Sequence, residues 1–302
     1  MGVLDDRVVV VTGAGRGLGR AHALLLAQEG ARVVVNDLGA DLDGRGAAGS
    51  PAHDVVEEIR AAGGEAVADG SDVAGAAGAA ALVEVAVRTW GRLDAVVNNA
   101  GILRDAPLAR LDEQDWDAVV RVHLRGHYAV TRAAVDHWRP RAKGGEDVRA
   151  AIVNTVSASG TTHVLPGQSA YAAAKAGIAA LTLVAAAELG RIGVRVNAVA
   201  PGARTRMTSS TPGAVGELMA QPVAPGEIDV FDPAQASPLV AHLVAASTDV
   251  TGRVFAVRGG AVEELVPWQV SRDWGLASTQ DWTVGAVADG FRQQDARAGV
   301  AS

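Results

Sequence analysis

Cysteine is absent from the 302-residue chain. Disulfide bonds, thiolate nucleophiles and cysteine-ligated metal sites are therefore excluded. The sequence predicts no metal site. Aromatic residues make up only 4% of the chain and glycine is abundant, which indicates helices that pack closely through small side chains.

The chain also has no excess of positive charge. The net charge is −7 and the isoelectric point is near 5.5, whereas nucleic acids and anionic membranes both require a basic face. The expected partner is therefore a small molecule. The first residues lack the basic and then apolar run of a signal peptide, and we expect no apolar stretch of the roughly 20 residues that span a bilayer. These features predict a cytoplasmic protein with no membrane partner.

Short apolar runs alternate with segments of helical periodicity along the chain. Strands are predicted at 8–11, 31–36, 65–68, 95–98, 151–155, 194–199 and 254–257, and helices at 20–29, 54–62, 78–89, 112–138, 171–190 and 236–246. Strands that are separated by helices pair in parallel through right-handed crossovers. The predicted fold class is therefore α/β, a doubly wound Rossmann fold with a seven-stranded parallel sheet and helices on both faces.

The first predicted strand runs directly into a glycine-rich turn, TGAGRGLG at 12–19, and then into a helix. Glycines let the backbone approach a pyrophosphate, and the N–H groups and dipole of the helix start attract its charge. The spacing of Gly13, Gly17 and Gly19 differs from the common G-x-G-x-x-G, since Leu18 occupies the place of the third glycine. This context favours a dinucleotide site over a simple tight turn.

Asp37 ends the second predicted strand, 24 residues after Gly13. A carboxylate there can accept hydrogen bonds from ribose hydroxyls, while a 2′-phosphate would meet like charge. We therefore expect NAD rather than NADP as the cofactor, with Arg16 the one residue that argues for NADP. The alternative for Asp37 is a simple strand-end aspartate.

Four motifs follow one another in an order that is far more specific than any one of them. TGxxxGxG, NNAG, YxxxK and PG stand at 12–19, 98–101, 171–175 and 201–202. With these motifs the chain resembles the short-chain dehydrogenase/reductase family over about residues 5–260. The strings NDLG at 36–39, VNNAGILRD at 97–105 and RVHLRG at 121–126 further resemble the dehydrogenase unit of multifunctional enzyme type 2, a (3R)-hydroxyacyl-CoA dehydrogenase. The expectation is a stand-alone version of that unit.

Tyr171 and Lys175 lie four residues apart on a predicted helix, so their side chains share one face. A free tyrosine is a poor base at neutral pH, and we expect the nearby ammonium to lower the pKa of the phenol. The resemblance implies that Tyr171 exchanges a proton with the substrate oxygen, that Lys175 also binds the nicotinamide ribose, and that Ser157 hydrogen-bonds the substrate oxygen. Ser159 is the rival of Ser157.

His123 departs from the broad family, which usually has an asparagine here to hold a water that relays protons to the lysine. Histidine can replace it as donor or acceptor, but a lone helical histidine is more often structural. His163 follows Ser157 in a loop and either lines the substrate site or lies on the surface. The predicted cofactor-binding residues are Gly13, Arg16, Gly17, Leu18, Gly19, Asp37, Asp72, Val73, Asn99, Ala100, Gly101, Tyr171, Lys175, Pro201, Gly202 and Thr205.

Residues 1–260 are expected to form one dinucleotide-binding and catalytic domain. Residues 261–302 carry three of the six tryptophans and are expected to be a C-terminal extension packed on the same or a neighbouring subunit. The glycine- and aspartate-rich segment 38–51 is expected to be a solvated loop, and the proline-containing segment 207–232 a lid over the substrate. Family resemblance implies a homodimer or homotetramer.

The leading functional hypothesis is an NAD-dependent oxidoreductase that interconverts a secondary alcohol and a ketone, with a 3-hydroxyacyl-CoA as substrate. Two alternatives remain open at this point. One is a dehydrogenase of a steroid, terpenoid or other cyclic alcohol, because the 207–232 segment does not reveal the shape of the substrate. The other is a nucleotide-binding regulatory protein that has lost turnover, against which the intact Ser157, Tyr171 and Lys175 count.

Overall fold

A computed structural model describes residues 2–45, 51–209, 214–224, 226–266, 268–271, 273–279 and 281–298. By contact density the chain separates into two compact units, Met1–Leu265 and Val266–Ser302. In the second unit, helix α10 (Val284–Ala298) packs against the preceding segment, with the rings of Trp274 and Phe291 edge to face at 4.8 Å between centroids. How this unit packs on the protein stays a prediction.

The first unit is built on one sheet with strand order β3-β2-β1-β4-β5-β6-β7-β8. Its strands are β1 (Val8–Thr12), β2 (Arg32–Asn36), β3 (Glu65–Asp69), β4 (Ala95–Asn98), β5 (Ala150–Thr155), β6 (Val194–Pro201), β7 (Val254–Arg258) and β8 (Ala261–Glu264). The first seven strands pair in parallel. The doubly wound α/β fold is thus confirmed, with each predicted strand recovered to within two residues.

Helices cover both faces of this sheet. They are α1 (Gly17–Gln28), α2 (Pro51–Ala61), α3 (Ala76–Trp90), α4 (Glu113–Val120), α5 (Gly126–Lys143), α6 (Ser169–Leu189), α7 (Arg206–Ser209), α8 (Ala214–Ala220) and α9 (Ser237–Val244). Alternate residues of a strand point to opposite faces. Accordingly Val9 and Val11 of β1 pack with α1, α2 and α9, while Val8 and Val10 pack with α3, α5 and α6. Burial on both faces explains why the strands are continuously apolar.

The described residues contain eight strands where the sequence predicted seven. Strand β8 pairs antiparallel with β7 through a two-residue Gly259-Gly260 turn, in which Gly259 has a φ of +55°. Only glycine enters that region of φ readily, and a Gly-Gly pair between two runs is a hairpin signal. The signal was present in the sequence, but β8 is exposed and has little apolar character.

The long helix predicted at 112–138 is interrupted. Helices α4 and α5 are joined by one π-helical turn, Arg121–Arg125, which contains His123. Such turns carry one extra residue and redirect the side chains around them. Local periodicity does not reveal this, because α-helical spacing resumes on both sides.

One segment, Ser169–Ile192, is long and apolar enough by length and composition to cross a membrane. The expectation that no stretch reaches that length was therefore wrong. The segment is α6 with the turn that follows it, and Ile178, Thr182, Ala185 and Ala186 on this helix are buried within the fold. Core helices of globular proteins commonly have this composition, so the feature is weak evidence for a membrane.

Candidate active site

A cavity of about 660 Å³ opens at the carboxyl ends of the parallel strands. Asn36, Thr155 and Pro201, which end β2, β5 and β6, contribute to its wall, as does Asn99 just after β4. Ligands of open parallel sheets bind at this edge. Of the predicted site residues the cavity is lined by Gly13, Arg16, Gly17, Leu18, Asp37, Asp72, Val73, Asn99, Ala100, Gly101, His123, Ser157, Tyr171, Lys175, Pro201 and Thr205.

The glycine-rich turn forms one wall of the cavity. Gly13 and Gly17 have φ values of +61° and +54°, which side chains rarely tolerate. Gly19 lies behind the wall, where a Cβ atom would stand 2.2 Å from the carbonyl oxygen of Gly13. The Asn99 side chain fixes the turn by donating to the carbonyl oxygens of Thr12 and Gly13 at 3.1 and 3.2 Å.

Helix α1 begins at this turn without a side-chain cap and without an acidic residue in its first turn. Its first N–H groups therefore have no partner within the helix and carry the positive end of the dipole. A pyrophosphate fits such a cradle, since it brings the charge and the acceptors that the turn does not supply itself.

Asp37 follows β2 and lines the cavity. Its Oδ2 atom accepts from the N–H of Gly15 at 2.9 Å, and its Oδ1 atom accepts from the N–H of Gly39 at 2.8 Å. Each carboxylate oxygen can accept a second hydrogen bond, so Asp37 keeps capacity for ribose hydroxyls. On the neighbouring wall, Asp72 forms an ion pair with Arg121.

Segment 38–45 lines this end of the cavity, and four of its eight residues are exposed, as expected of a surface loop. Leu38, Ala40, Asp41, Leu42 and Gly44 line the cavity. Two hydrogen bonds tie the segment to the chain after β4. The N–H of Leu103 donates to the carbonyl of Leu42 at 3.0 Å. The side chain of Arg104 donates to the carbonyl of Asp43 at 2.8 Å. Residues 46–50 lie outside the described part of the chain.

Tyr171 and Lys175 stand on one face of α6, as their spacing predicts. The Lys175 Nζ atom donates to the carbonyl oxygen of Thr155 at 2.6 Å and lies 5.6 Å from the centre of the Tyr171 ring. Burial lowers the pKa of Lys175 to about 7. The side chain is therefore poised between its charged and neutral forms near neutral pH.

The pKa of Tyr171 shifts in the direction opposite to the expected one. Burial raises it to about 12, a hydrogen bond with Ser157 opposes that rise, and the charge of Asp105 adds to it. Lys175 does not compensate, since a lysine with a pKa near 7 is only partly charged. In the protein by itself Tyr171 is thus a protonated phenol over the ordinary pH range.

Ser157 and Ser159 have different surroundings. Ser157 lines the cavity, and its Oγ atom accepts from the N–H of Ser159 at 3.1 Å, which leaves its own O–H to donate. The Ser159 side chain is buried, and its Oγ atom has no hydrogen-bond partner among the described residues. The geometry favours Ser157. His163 is exposed in the following loop and hydrogen-bonds Thr162 rather than lining the cavity.

His123 is buried at the base of the cavity. Its Nε2 atom lies 3.1 Å from the N–H nitrogen and 2.8 Å from the carbonyl oxygen of Ile102, and its ring meets the Tyr171 ring edge to face at 5.2 Å. A Cβ atom at Gly101 would stand 2.3 Å from the imidazole. Burial lowers the pKa of His123 to about 3, so the ring is neutral. These contacts show an anchor between the π turn and the loop after β4, and a part in proton relay stays a prediction.

The last wall of the cavity follows β6. Thr205 lines it and exchanges hydrogen bonds with Thr208, whereas Gly202 lies behind it and donates its N–H to the carbonyl of Val257 at 2.8 Å. Met207 also lines the cavity. The remainder of the predicted 207–232 lid lies partly outside the described residues, including Pro212 and Pro225.

Several residues at or near the site were not singled out from the sequence. Arg121 and Arg204 line the cavity, and the charge of Asp105 adds to the rise in the pKa of Tyr171. Arg204 forms an ion pair with Asp229 at 3.2 Å. Asp105 stands in the VNNAGILRD string, which was the available signal. Arg121 stands in the RVHLRG string, whereas Arg204 gave no signal, because single charged residues in loops are common.

Comparisons with known proteins agree with the family resemblance seen in the sequence motifs. The family model described as short chain dehydrogenase matches residues 7–214. Hydroxyacyl-CoA dehydrogenase ChsB1 of Mycobacterium tuberculosis is 46% identical over 91% of this chain and 84% of its own length. Peroxisomal multifunctional enzyme type 2 of Mus musculus is 43% identical over 86% of this chain, which spans only 33% of that protein.

A solved structure shows the same fold over the whole chain. The crystal structure of a short chain dehydrogenase from Mycobacterium avium has a TM-score of 0.85 and 48% identity, and the match covers 100% of this chain and 97% of that one.

Proposed function

The chain belongs to the short-chain dehydrogenase/reductase family of oxidoreductases, and on that premise we propose that it interconverts a 3-hydroxyacyl-CoA and the corresponding 3-oxoacyl-CoA with NAD as cofactor. One observation carries the proposal: Ser157, Tyr171 and Lys175 converge on one cavity that also contains the glycine-rich turn and Asp37. The relative whose name specifies this chemistry, hydroxyacyl-CoA dehydrogenase ChsB1, supports the substrate class.

The residues present fit a dinucleotide. The glycine turn and the uncapped start of α1 would hold its pyrophosphate, Asp37 the adenosine ribose, and Thr205 and Lys175 the nicotinamide end. NAD would supply the carbon that accepts or donates the hydride. The Asp37 carboxylate would repel a 2′-phosphate, which supports NAD over NADP.

Side chains of this protein donate and accept the proton at the substrate oxygen. In the reductive direction Tyr171 donates its proton to the oxygen as negative charge develops there, while the Ser157 hydroxyl hydrogen-bonds the same oxygen. In the oxidative direction the phenolate form of Tyr171 accepts the proton of the substrate hydroxyl. Lys175 is held by Thr155, and in its protonated form it places positive charge beside the phenol and favours loss of the phenol proton.

Turnover of a substrate panel tests this function. The purified protein is mixed with NAD and 3-hydroxyacyl-CoA thioesters of several chain lengths, and with steroid and other cyclic secondary alcohols, while the absorbance of reduced nicotinamide is followed. We expect turnover of the thioesters and a preference for NAD over NADP. Turnover of cyclic alcohols alone would replace the proposed substrate, and cofactor binding without any turnover would indicate a regulatory protein.

We also infer that the protein acts as a homodimer or homotetramer in the cytoplasm, without nucleic acid or membrane. Tyr128 on α5 and Val184 on α6 are more than half exposed, which fits a subunit contact along these helices. The lack of cysteine fits a reducing compartment. Sedimentation analysis of the purified protein tests the assembly, and a monomer at all concentrations would contradict it.

A further inference from the structure

Arg104, in the loop after β4, connects two other parts of the chain through one side chain. This side chain is only 12% exposed. Its Nε atom donates to the carbonyl oxygen of Asp43 at 2.8 Å, and its Nη1 atom donates to the carboxylate of Asp115 in the first turn of α4. A planar guanidinium presents its donors in a fixed fork, so it can satisfy acceptors on two elements at once. Arg104 therefore links the 38–45 segment to α4.

Two contacts beside Arg104 bring the same segment and the loop after β4 together. The N–H of Leu103 donates to the carbonyl of Leu42 at 3.0 Å. Gly44 packs on Ile102, since a Cβ atom at that glycine would stand 3.1 Å from the Ile102 side chain. Three successive residues of the loop thus hold the segment, one by packing, one by its backbone and one by its side chain.

The conformation of the 38–45 segment depends on such contacts, because half of its residues are exposed. On the side of the glycine-rich turn, Arg16 donates to the carbonyl of Ala40 at 3.4 Å, which is long for a hydrogen bond. Exposed segments with few buried contacts open at a low cost in free energy. Without Arg104 the carbonyl of Asp43 would have to turn to water for a donor, which favours the open segment.

The residues that Arg104 holds in place belong to the wall of the cavity. Leu42 and Gly44 line it, as does Asp37, which directly precedes the segment and is assigned to the adenosine ribose. The backbone continues this connection, because the N–H of Gly39 donates to the Asp37 carboxylate at 2.8 Å. A displaced segment would therefore change the shape of the cavity at its adenosine end.

We propose that Arg104 is a positioning residue for the cofactor: by joining the carbonyl of Asp43 to Asp115, it holds the 38–45 segment closed at the adenosine end of the cavity. A ligand that binds only the closed segment loses affinity in proportion to the fraction of protein that is open. The identity of this ligand rests on the proposed function, whereas the effect on the segment does not.

Arg104→Met tests the proposal, because methionine fills similar space but donates to neither partner. In the ligand-free protein, the hydrogen-bonded amides of residues 41, 44 and 103 should exchange with deuterium about tenfold faster. The Kd of ADP-ribose, which contains the adenosine and the pyrophosphate but no nicotinamide, should rise about tenfold in calorimetric titration if about a tenth of the variant is closed.

Arg45→Met is the matched control. Arg45 belongs to the same segment and is exposed, but it does not line the cavity, and its side chain pairs with Asp43 rather than with another element. This variant should leave the exchange of residue 103 and the Kd of ADP-ribose unchanged.

Asp115→Asn changes the other partner of Arg104. It should act in the same direction as Arg104→Met but more weakly, because the amide oxygen can still accept from the guanidinium. The double variant should bind ADP-ribose no more weakly than Arg104→Met alone, since both changes act through one contact.

Steady-state kinetics separate positioning from a general loss of structure. In Arg104→Met the KM for NAD should rise about as much as the Kd of ADP-ribose, whereas kcat at saturating NAD should change by less than about twofold. If this variant does not fold, Arg104→Lys keeps the charge without the planar fork and must also raise the Kd of ADP-ribose.

Unchanged amide exchange in Arg104→Met would overturn the proposal, and so would faster exchange with an unchanged Kd of ADP-ribose. A wild-type protein that binds ADP-ribose but turns over no substrate refutes the proposed function. The exchange and binding measurements still decide the role of Arg104 in that case.

Discussion

The two oxygens of Asp37 are each held by one backbone N–H, so its position beside the cavity does not depend on a ligand. Asp37→Asn removes the charge and keeps an acceptor for only one of these two donors. We expect kcat/KM with NAD to fall about tenfold to a hundredfold, as for the loss of a charge-assisted hydrogen bond. The kcat/KM with NADP should rise, because Asp37→Asn removes the charge that repels the 2′-phosphate.

Steady-state kinetics with both cofactors measure this preference. Asp43→Asn is the control, since Asp43 lies in the same segment and its side chain pairs with Arg45 instead of lining the cavity. An unchanged ratio of the two kcat/KM values in Asp37→Asn would contradict the role given to Asp37.

Local spacing made most of the site predictable at the level of single residues. The glycine turn and the Tyr171/Lys175 pair depend on neighbours four or fewer residues away, so the sequence was sufficient. The direction of the Tyr171 pKa was not predictable, because it depends on burial and on Asp105, which lies 66 residues earlier. The same holds for His123, whose partner Ile102 belongs to another element.

The junction of β1 and α1 depends on the close approach of two backbone segments. At Gly19 a Cβ atom would stand 2.2 Å from the Gly13 carbonyl oxygen and 2.6 Å from the Asn99 side chain. Gly19→Ala must therefore displace the turn, at a cost of about 1–3 kcal/mol of stability. We expect NAD affinity to fall more than tenfold, as measured by calorimetric titration.

Gly63→Ala is the corresponding control, since no atom lies within 4 Å of a Cβ there and that glycine does not line the cavity. Its positive φ of +87° will cost some stability, but NAD affinity should be retained. Normal NAD affinity in Gly19→Ala would show that the turn is not the cofactor cradle.

At the level of elements, the alternation of strands and helices could be predicted from the sequence, because both faces of the sheet are buried and the strands are therefore continuously apolar. The features that were missed arise from contacts distant in sequence. The π turn at Arg121–Arg125 accommodates His123 against Ile102. The 38–45 segment looked polar, yet the chain after β4 holds it over the cavity. Composition alone does not distinguish a segment that lines a cavity from a loop that lies entirely in solvent.

For the molecule as a whole, buried histidines predict acid lability. Burial lowers the pKa of His22 to about 4 and that of His123 to about 3, and it lowers the pKa of His127 as well. Below the ordinary value of 6.5 the unfolded chain binds protons that the folded protein does not. The free energy of unfolding should therefore fall as pH drops from about 6.5 towards 4.

Urea unfolding at about pH 7 and pH 5 measures this effect, which is on the order of 2 kcal/mol for each such histidine. His22→Asn should reduce the dependence, because asparagine can still hydrogen-bond Ser237 and does not titrate. Stability that is constant or higher at the lower pH would contradict the neutral, buried state of these rings.

The chemistry proposed for the whole molecule depends on the phenol of Tyr171. Tyr171→Phe should bind NAD with nearly unchanged affinity, because the glycine turn and Asp37 are untouched, while kcat falls about 10²- to 10⁴-fold for loss of the proton donor. Tyr128→Phe, which alters the exposed tyrosine, should keep normal turnover. A Tyr171→Phe protein that binds NAD and turns over at near wild-type rates would refute the assignment of Tyr171 as the proton donor.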